Sequence, residues 1–143
     1  MSLPMIAELT AKILVIDDSA PTREFLKACL TSAGCEVITA SSGVGAVPLV
    51  ERQKPDLVLL DVVMPGVDGL EVCRRLKEDV ATRDVTVIMV SGFQHHANVR
   101  RAREVGAKAY IWKPFNEDEL LSVVYAALDE RAAPSTEKGE GQD

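Results

Sequence analysis

Five short apolar runs, each followed by a segment of helical periodicity, constrain the fold of this chain more than any other feature. Ile13-Leu14-Val15-Ile16, residues 36–40, Leu57-Val58-Leu59-Leu60, residues 85–90 and residues 107–112 read as strands. The first, third and fourth are almost continuously apolar, as strands covered on both faces are. After Pro21, Phe25, Leu26, Cys29, Leu30 and Ala33 recur at helical spacing until Gly34 stops them. A second helix is expected over 42–53. Pro48, which has no backbone N–H to donate, predicts that this helix starts late or kinks. Asp68 and Glu71 have the spacing of a capping box for a helix over 70–77. A weaker helix over about 95–105 ends at Gly106. A last one opens at Asn116 and Glu119, with Leu120, Val123, Val124, Ala127 and Leu128 as its apolar stripe. Strict alternation of strand and helix predicts βαβ units, hence an α/β fold with one parallel sheet covered on both faces.

The 143 residues and 47% apolar content fit one globular domain with a core of its own. Residues 1–11 carry little pattern and are set apart as an N-terminal extension. Residues 12–131 form the domain, and residues 132–143 turn to Pro, Ser, Gly, Glu and Lys and read as a disordered tail. The net charge of −6 repels phosphate backbones and argues against direct DNA binding. No run approaches the ~20 apolar residues of a membrane span, and no secretory-type start is visible, which makes the cytoplasm the expected compartment. Cys29, Cys35 and Cys73 lack C-x-x-C spacing and are read as small reduced core residues.

In a parallel α/β sheet, ligands bind beyond the carboxyl ends of the strands. Here the first strand ends in Asp17-Asp18, the third in Asp61, the fourth in Ser91 and the fifth in Lys113. Three converging carboxylates repel one another unless a cation joins them. An all-oxygen acidic pocket suits Mg²⁺, which keeps part of its water and takes a phosphoryl oxygen. With a hydroxyl from Ser91 and an ammonium from Lys113, the set is equipped to hold a phosphoryl group against a carboxylate nucleophile.

Four segments, Ile-Leu-Val-Ile-Asp-Asp-Ser (13–19), Leu-Leu-Asp-Val-Val-Met-Pro-Gly-Val-Asp-Gly (59–69), Val-Ser-Gly (90–92) and Trp-Lys-Pro-Phe (112–115), resemble the receiver domains of two-component response regulators, in the family's order and at its element ends. The resemblance implies a flavodoxin-like (βα)5 sandwich with strand order 2-1-3-4-5. It implies Asp61 as phosphoacceptor. Mg²⁺ would be bound by Asp18, Asp61 and the backbone carbonyl of Val63, with Asp17 acting partly through water. Lys113 would pair with the phosphoryl group, Ser91 would move to bond it, and Tyr110 would be the switch aromatic that packs inward on activation. Lys113-Pro114 would be a cis peptide. The implied donor is a sensor histidine kinase or a histidine phosphotransfer protein. The implied output is a protein target on the surface of the fourth helix, fifth strand and fifth helix, and a phosphorylation-dependent dimer is a further expectation.

Plainer readings compete at each position. A strand-end Asp is often a helix cap, a lone Ser a turn residue, a lone Lys a solvated side chain and Tyr110 a packing aromatic. Adjacent His95 and His96 point apart on a helix and chelate poorly together, so they read as exposed residues. Arg100, Arg101 and Arg103 read as a solvated face lying where a partner would dock, and Trp112 occupies a place where the family carries something smaller. Val63 and Phe93 stand where the family often has polar side chains near the attacking water, which predicts slow self-dephosphorylation. Rival functions are a pseudo-receiver that binds without phosphorylation, an aspartyl-intermediate Mg²⁺ phosphatase, and the N-terminal receiver fragment of a larger regulator. The pseudo-receiver needs a lost acidic or lysine position. The phosphatase needs a carboxylate where Val63 stands.

Overall fold

The structure is a computed structural model that describes residues 10–92 and 98–132. Ten elements alternate along it: β1 (Lys12–Ile16), α1 (Ala20–Ser32), β2 (Glu36–Ala40), α2 (Ala46–Gln53), β3 (Leu57–Asp61), α3 (Gly69–Glu78), β4 (Thr86–Gly92), α4 (Asn98–Glu104), β5 (Ala109–Lys113) and α5 (Glu117–Ala132). The strands pair in parallel in the order β2-β1-β3-β4-β5. This is the flavodoxin-like arrangement, and it sets the carboxyl ends of all five strands on one rim.

Strand alternation divides the core into two layers. Ile13, Val15, Leu57, Leu59, Ile88, Val90 and Ile111 meet Leu26 and Leu30 of α1 and Leu120 and Val124 of α5. Leu14, Ile16, Val58, Leu60, Val87 and Met89 point the other way, onto Val50 of α2, Val72, Cys73 and Leu76 of α3, and Ala102 of α4. The central strands therefore have to be apolar on both faces, which is why they read as unbroken runs. All three cysteines are buried and free.

Local chemistry sets the helix ends. Ser19 caps α1 by accepting from the Thr22 N–H, at 3.3 Å. Asn116 and Glu119 form a complete capping box, with bonds of 2.8 and 2.9 Å. Before α3, Asp68 does its half of the box, accepting from the Glu71 N–H at 2.9 Å. Glu71 spends its carboxylate instead on Arg74 and Arg75, at 2.5–3.0 Å, which holds it well below the usual carboxylate range, at about 2. The late start expected of the second helix is found. It begins at Ala46, so Pro48 falls in the first turn, where the missing N–H has no intrahelical partner to lose.

Several expectations shift, among them β4, which runs Thr86–Gly92, and α3, which runs Gly69–Glu78. The fifth strand starts at Ala109 rather than 107, because Gly106 turns at φ 102° and the Ala107 N–H is used to close α4 on the Ala102 carbonyl. Phe25 does not face the core but is 43% exposed, turned toward the rim, where its ring lies 5.9 Å from that of Phe115. The last helix runs through Ala132, one residue past the expected limit. His95, His96, Phe93, most of the N-terminal extension and the tail beyond Ala132 lie outside the described residues. Among those described, no helix is long and apolar enough to cross a membrane.

Candidate functional site

Asp17 follows β1 and is fixed from four sides. Its N–H donates to the Ala40 carbonyl (3.1 Å), and its own carbonyl accepts from the Arg23 guanidinium (2.7 Å). One carboxylate oxygen accepts from the Ser19 N–H (2.9 Å) and the other from Lys113 Nζ (3.2 Å). Asp18 stands exposed beside it. Asp61, the last residue of β3, is 5% exposed; its Oδ1 accepts from the Val63 N–H at 3.3 Å and its Oδ2 lies 3.7 Å from Lys113 Nζ. Oxygens of Asp17, Asp18 and Asp61 all lie within 4.8 Å of one another. The Lys113-Pro114 peptide is cis, as expected.

Electrostatics make this arrangement costly without a cation. Burial, and then the neighbouring charge of Asp17, push the Asp61 carboxyl from 3.8 up to about 7, with Lys113 pulling only partly in the other direction. A compact group of three carboxylates with hard oxygen donors and one open side is a fitting donor set for a small divalent cation. Val63, two residues beyond Asp61, also lines the cleft.

Ser91 and Tyr110 complete the site in an unexpected way. The Ser91 hydroxyl and the Tyr110 hydroxyl are both buried, and neither has a hydrogen-bond partner among the described residues. Burial pushes the Tyr110 phenol up; the nearby Ser91 hydroxyl offsets part of this and the charge of Asp61 adds to it. The two hydroxyls neighbour each other, and a buried hydroxyl left without good hydrogen-bond geometry costs about 1–3 kcal/mol. Tyr110 packs against Trp112, with ring centroids 4.9 Å apart.

Over these residues opens a cleft of about 650 Å³, with an apolar wall of Pro21, Phe25, Pro114 and Phe115 on one side. Sequence reasoning placed all five chemical groups at the rim but missed three supports: Arg23, the Phe25–Phe115 wall and Gly69. A Cβ on Gly69 would meet the Asp61 carbonyl oxygen at 2.1 Å. No sequence signal marks Arg23. The second glycine of the segment Met-Pro-Gly-Val-Asp-Gly could have marked a close backbone approach.

A family model for the response regulator receiver domain matches residues 13–125. The chain belongs to the response regulator receiver family. Among curated relatives, it is 41% identical over 116 residues to the phosphate regulon transcriptional regulatory protein PhoB of Pseudomonas aeruginosa, an alignment covering 81% of this chain and 51% of PhoB. Protein PilH of the same organism is 36% identical over 118 residues, covering 82% of this chain and 98% of PilH. The chain thus spans about half of the first relative and nearly all of the second. Among solved structures, the receiver domain of sensor histidine kinase PA1611 from Pseudomonas aeruginosa superposes with a TM-score of 0.77 at 26% identity, over 84% of this chain and 98% of that one; it holds a magnesium ion in its active-site cleft. Receiver domains are phosphoacceptor switches rather than turnover enzymes, and the rim cleft of this chain carries the acidic cluster of such a domain.

Proposed function

We propose that this chain accepts a phosphoryl group on Asp61 from a phosphohistidine of a sensor kinase or histidine phosphotransfer protein, and that the product switches a protein-binding surface. One observation carries the reading: a buried carboxylate sits 3.7 Å from a lysine ammonium and shares an oxygen cluster of under 5 Å with two further carboxylates. Mg²⁺ held by Asp17, Asp18, Asp61 and the Val63 carbonyl would neutralise that cluster and draw charge from the phosphoryl oxygens. An Asp61 oxygen attacks phosphorus in line, the P–N bond breaks, and its electron pair leaves with the imidazole. In this reading Lys113 pairs with one phosphoryl oxygen and Ser91 donates to another. The apolar wall of Pro21, Phe25, Pro114 and Phe115 shields one side of the reacting groups from water.

The phosphorylated Asp61 gives the orphaned Ser91 hydroxyl an acceptor, and Ser91 is the neighbour through which the change reaches Tyr110 on β5. The surface of α4, β5 and α5, whose middle strand carries that tyrosine, is the output face of this reading, for a protein target or a second copy of the chain. The switch unit is residues 12–131, acting in the cytoplasm, where the donor histidine would be presented.

Intact mass after treatment with acetyl phosphate and Mg²⁺ tests the chemistry. Wild type is expected to gain one phosphoryl mass and Asp61→Asn none; a gain by the variant, or none by wild type, sinks the assignment. Decay of the phosphorylated form tests a second point. Val63 is 48% exposed at the cleft, with a side chain that cannot orient water. The double variant Val63→Asn, Phe93→Glu is expected to lose its phosphoryl group at least about tenfold faster than wild type. Equal decay rates would remove the idea of a long-lived signal.

A further inference from the structure

Arg23 lies in the first turn of α1 and is half-buried. Its N–H bonds to the Ser19 carbonyl at 2.9 Å, at the start of the helix. Its side chain runs back toward the helix N-terminus, as long helical side chains do. There Nη1 donates to the Asp17 carbonyl at 2.7 Å, a charge-assisted bond. Among the described residues the guanidinium has no ion-pair partner. The arginines of α3 behave otherwise: Arg74 pairs with Glu71 and with Glu78 at 2.7 Å, and Arg75 pairs with Glu71 at 2.8 Å. Arg23 places its charge on a backbone oxygen, although two acidic residues stand beside it.

The oxygen it holds belongs to the peptide that joins Asp17 to Asp18. Asp17 has other anchors, since its N–H bonds to Ala40 and its carboxylate to the Ser19 N–H and to Lys113. Asp18 has none of these. Its carboxylate is exposed and makes no hydrogen bond or ion pair among the described residues. Yet one of its oxygens lies within 4.8 Å of oxygens of Asp17 and Asp61. The place of that carboxylate is therefore set by the backbone that carries it. Arg23 fixes the peptide plane just before it, and rotation of that plane would swing the Asp18 side chain away from the other two. A small divalent cation tolerates little error in the placing of its oxygens.

We infer that Arg23 is a positioning residue for the divalent cation, holding the Asp17–Asp18 peptide so that the Asp18 carboxylate stays with those of Asp17 and Asp61. The inference rests on the Mg²⁺ part of the proposed function and adds to it a residue outside the ligand set. Hydrogen bonds that orient ligands from behind typically govern metal affinity by about 10–100-fold. The rival role for the same side chain is purely electrostatic. A cation near three carboxylates eases their crowding and repels Mg²⁺. The two roles differ in sign. Loss of a positioning bond weakens Mg²⁺ binding, whereas loss of a mere positive charge strengthens it.

The melting temperature of the full chain, followed through a Mg²⁺ titration at constant ionic strength, tests the inference. Arg23→Gln is expected to raise the half-saturating Mg²⁺ concentration at least about tenfold. Arg23→Lys, which keeps the charge and one donor on a shorter reach, is expected to fall between that variant and wild type. In an Asp18→Asn background, where the carboxylate to be positioned has been removed, adding Arg23→Gln is expected to shift the midpoint less than about twofold, as residues acting through one another do. Labelling of Arg23→Gln by acetyl phosphate, read by intact mass, is expected to need the same increase in Mg²⁺, with the rate at saturation near that of wild type. The midpoint does not depend on the absolute melting temperature, so a variant that is only less stable does not imitate the result. Unchanged or tighter Mg²⁺ binding by Arg23→Gln, or a full effect of it in the Asp18→Asn background, would overturn the positioning role and leave the proposed function standing. A wild type whose melting does not respond to Mg²⁺ would instead end the metal reading of the rim cluster, and this inference with it.

Discussion

Asp61→Asn is expected to melt above wild type by about 5–15 °C at pH 8 in a chelator, equivalent to about 2–4 kcal/mol. The asparagine keeps the shape of the side chain and removes one of three crowded negative charges, while Lys113 keeps its 3.2 Å partner in Asp17. The pH dependence identifies the cause. In wild type the Asp61 carboxyl stands at about 7 in the fold against an ordinary 3.8. Between these values the folded chain holds a proton that the unfolded chain has released, so stability falls as pH rises from about 4 to 7 and is flat above. The gap between variant and wild type should therefore be widest at pH 8 and nearly closed at pH 4. Glu71 is displaced in the opposite direction, to about 2, but it is common to both proteins and so cancels from the gap. Millimolar Mg²⁺ should narrow the gap by stabilising wild type more than the variant. Denaturation followed by circular dichroism across pH, with and without Mg²⁺, is the measurement. A gap that does not vary with pH, or a variant less stable than wild type, would show that the charge crowding is not real.

Gly69→Ala is expected to cost about 3 kcal/mol or more, or about 10–15 °C in melting temperature, and to slow phosphorylation of Asp61 severely. Its added methyl would sit 2.1 Å from the Asp61 carbonyl oxygen, 2.9 Å from the carbonyl carbon and 2.9 Å from the Val62 Cα, all backbone atoms that cannot swing aside. Gly69 also donates its N–H to the Val62 carbonyl at 2.8 Å, which draws the start of α3 onto the end of β3. Relieving the clash moves Asp61 relative to Asp17 and Lys113, so stability and phosphorylation should fall together. At Gly43 the nearest atom to an added methyl is a side-chain methyl of Val72, at 2.4 Å. Ala there should cost less and leave the phosphorylation rate near wild type, since nothing at that position touches the acidic cluster. Melting curves and acetyl phosphate kinetics on both variants decide the matter; a Gly69→Ala protein that melts and phosphorylates like wild type would remove the argument.

The sequence by itself determined the α/β class, the order of the ten elements and the rim on which the chemistry gathers. It could do so because those features follow from short-range patterns. Unbroken runs such as Leu57 to Leu60 are required by burial on both faces, Asn116 and Glu119 announce a helix start, and parallel pairing forces the ends of the strands to one side. Tertiary structure decided what depends on distance between remote segments. Phe25 has helical spacing with Leu26 and Cys29, yet it faces the cleft because Phe115, ninety residues later in the chain, gives it a partner there. Arg23 looks like any surface arginine until its guanidinium is found on the Asp17 carbonyl. The two orphaned hydroxyls of Ser91 and Tyr110, the raised carboxyl of Asp61 and the missing space beside Gly69 are likewise properties of proximity. Periodicity encodes which way a side chain points, but the strength of a charge, a vacancy or a clash depends on which atoms stand within a few ångströms, and only the packed chain brings those together.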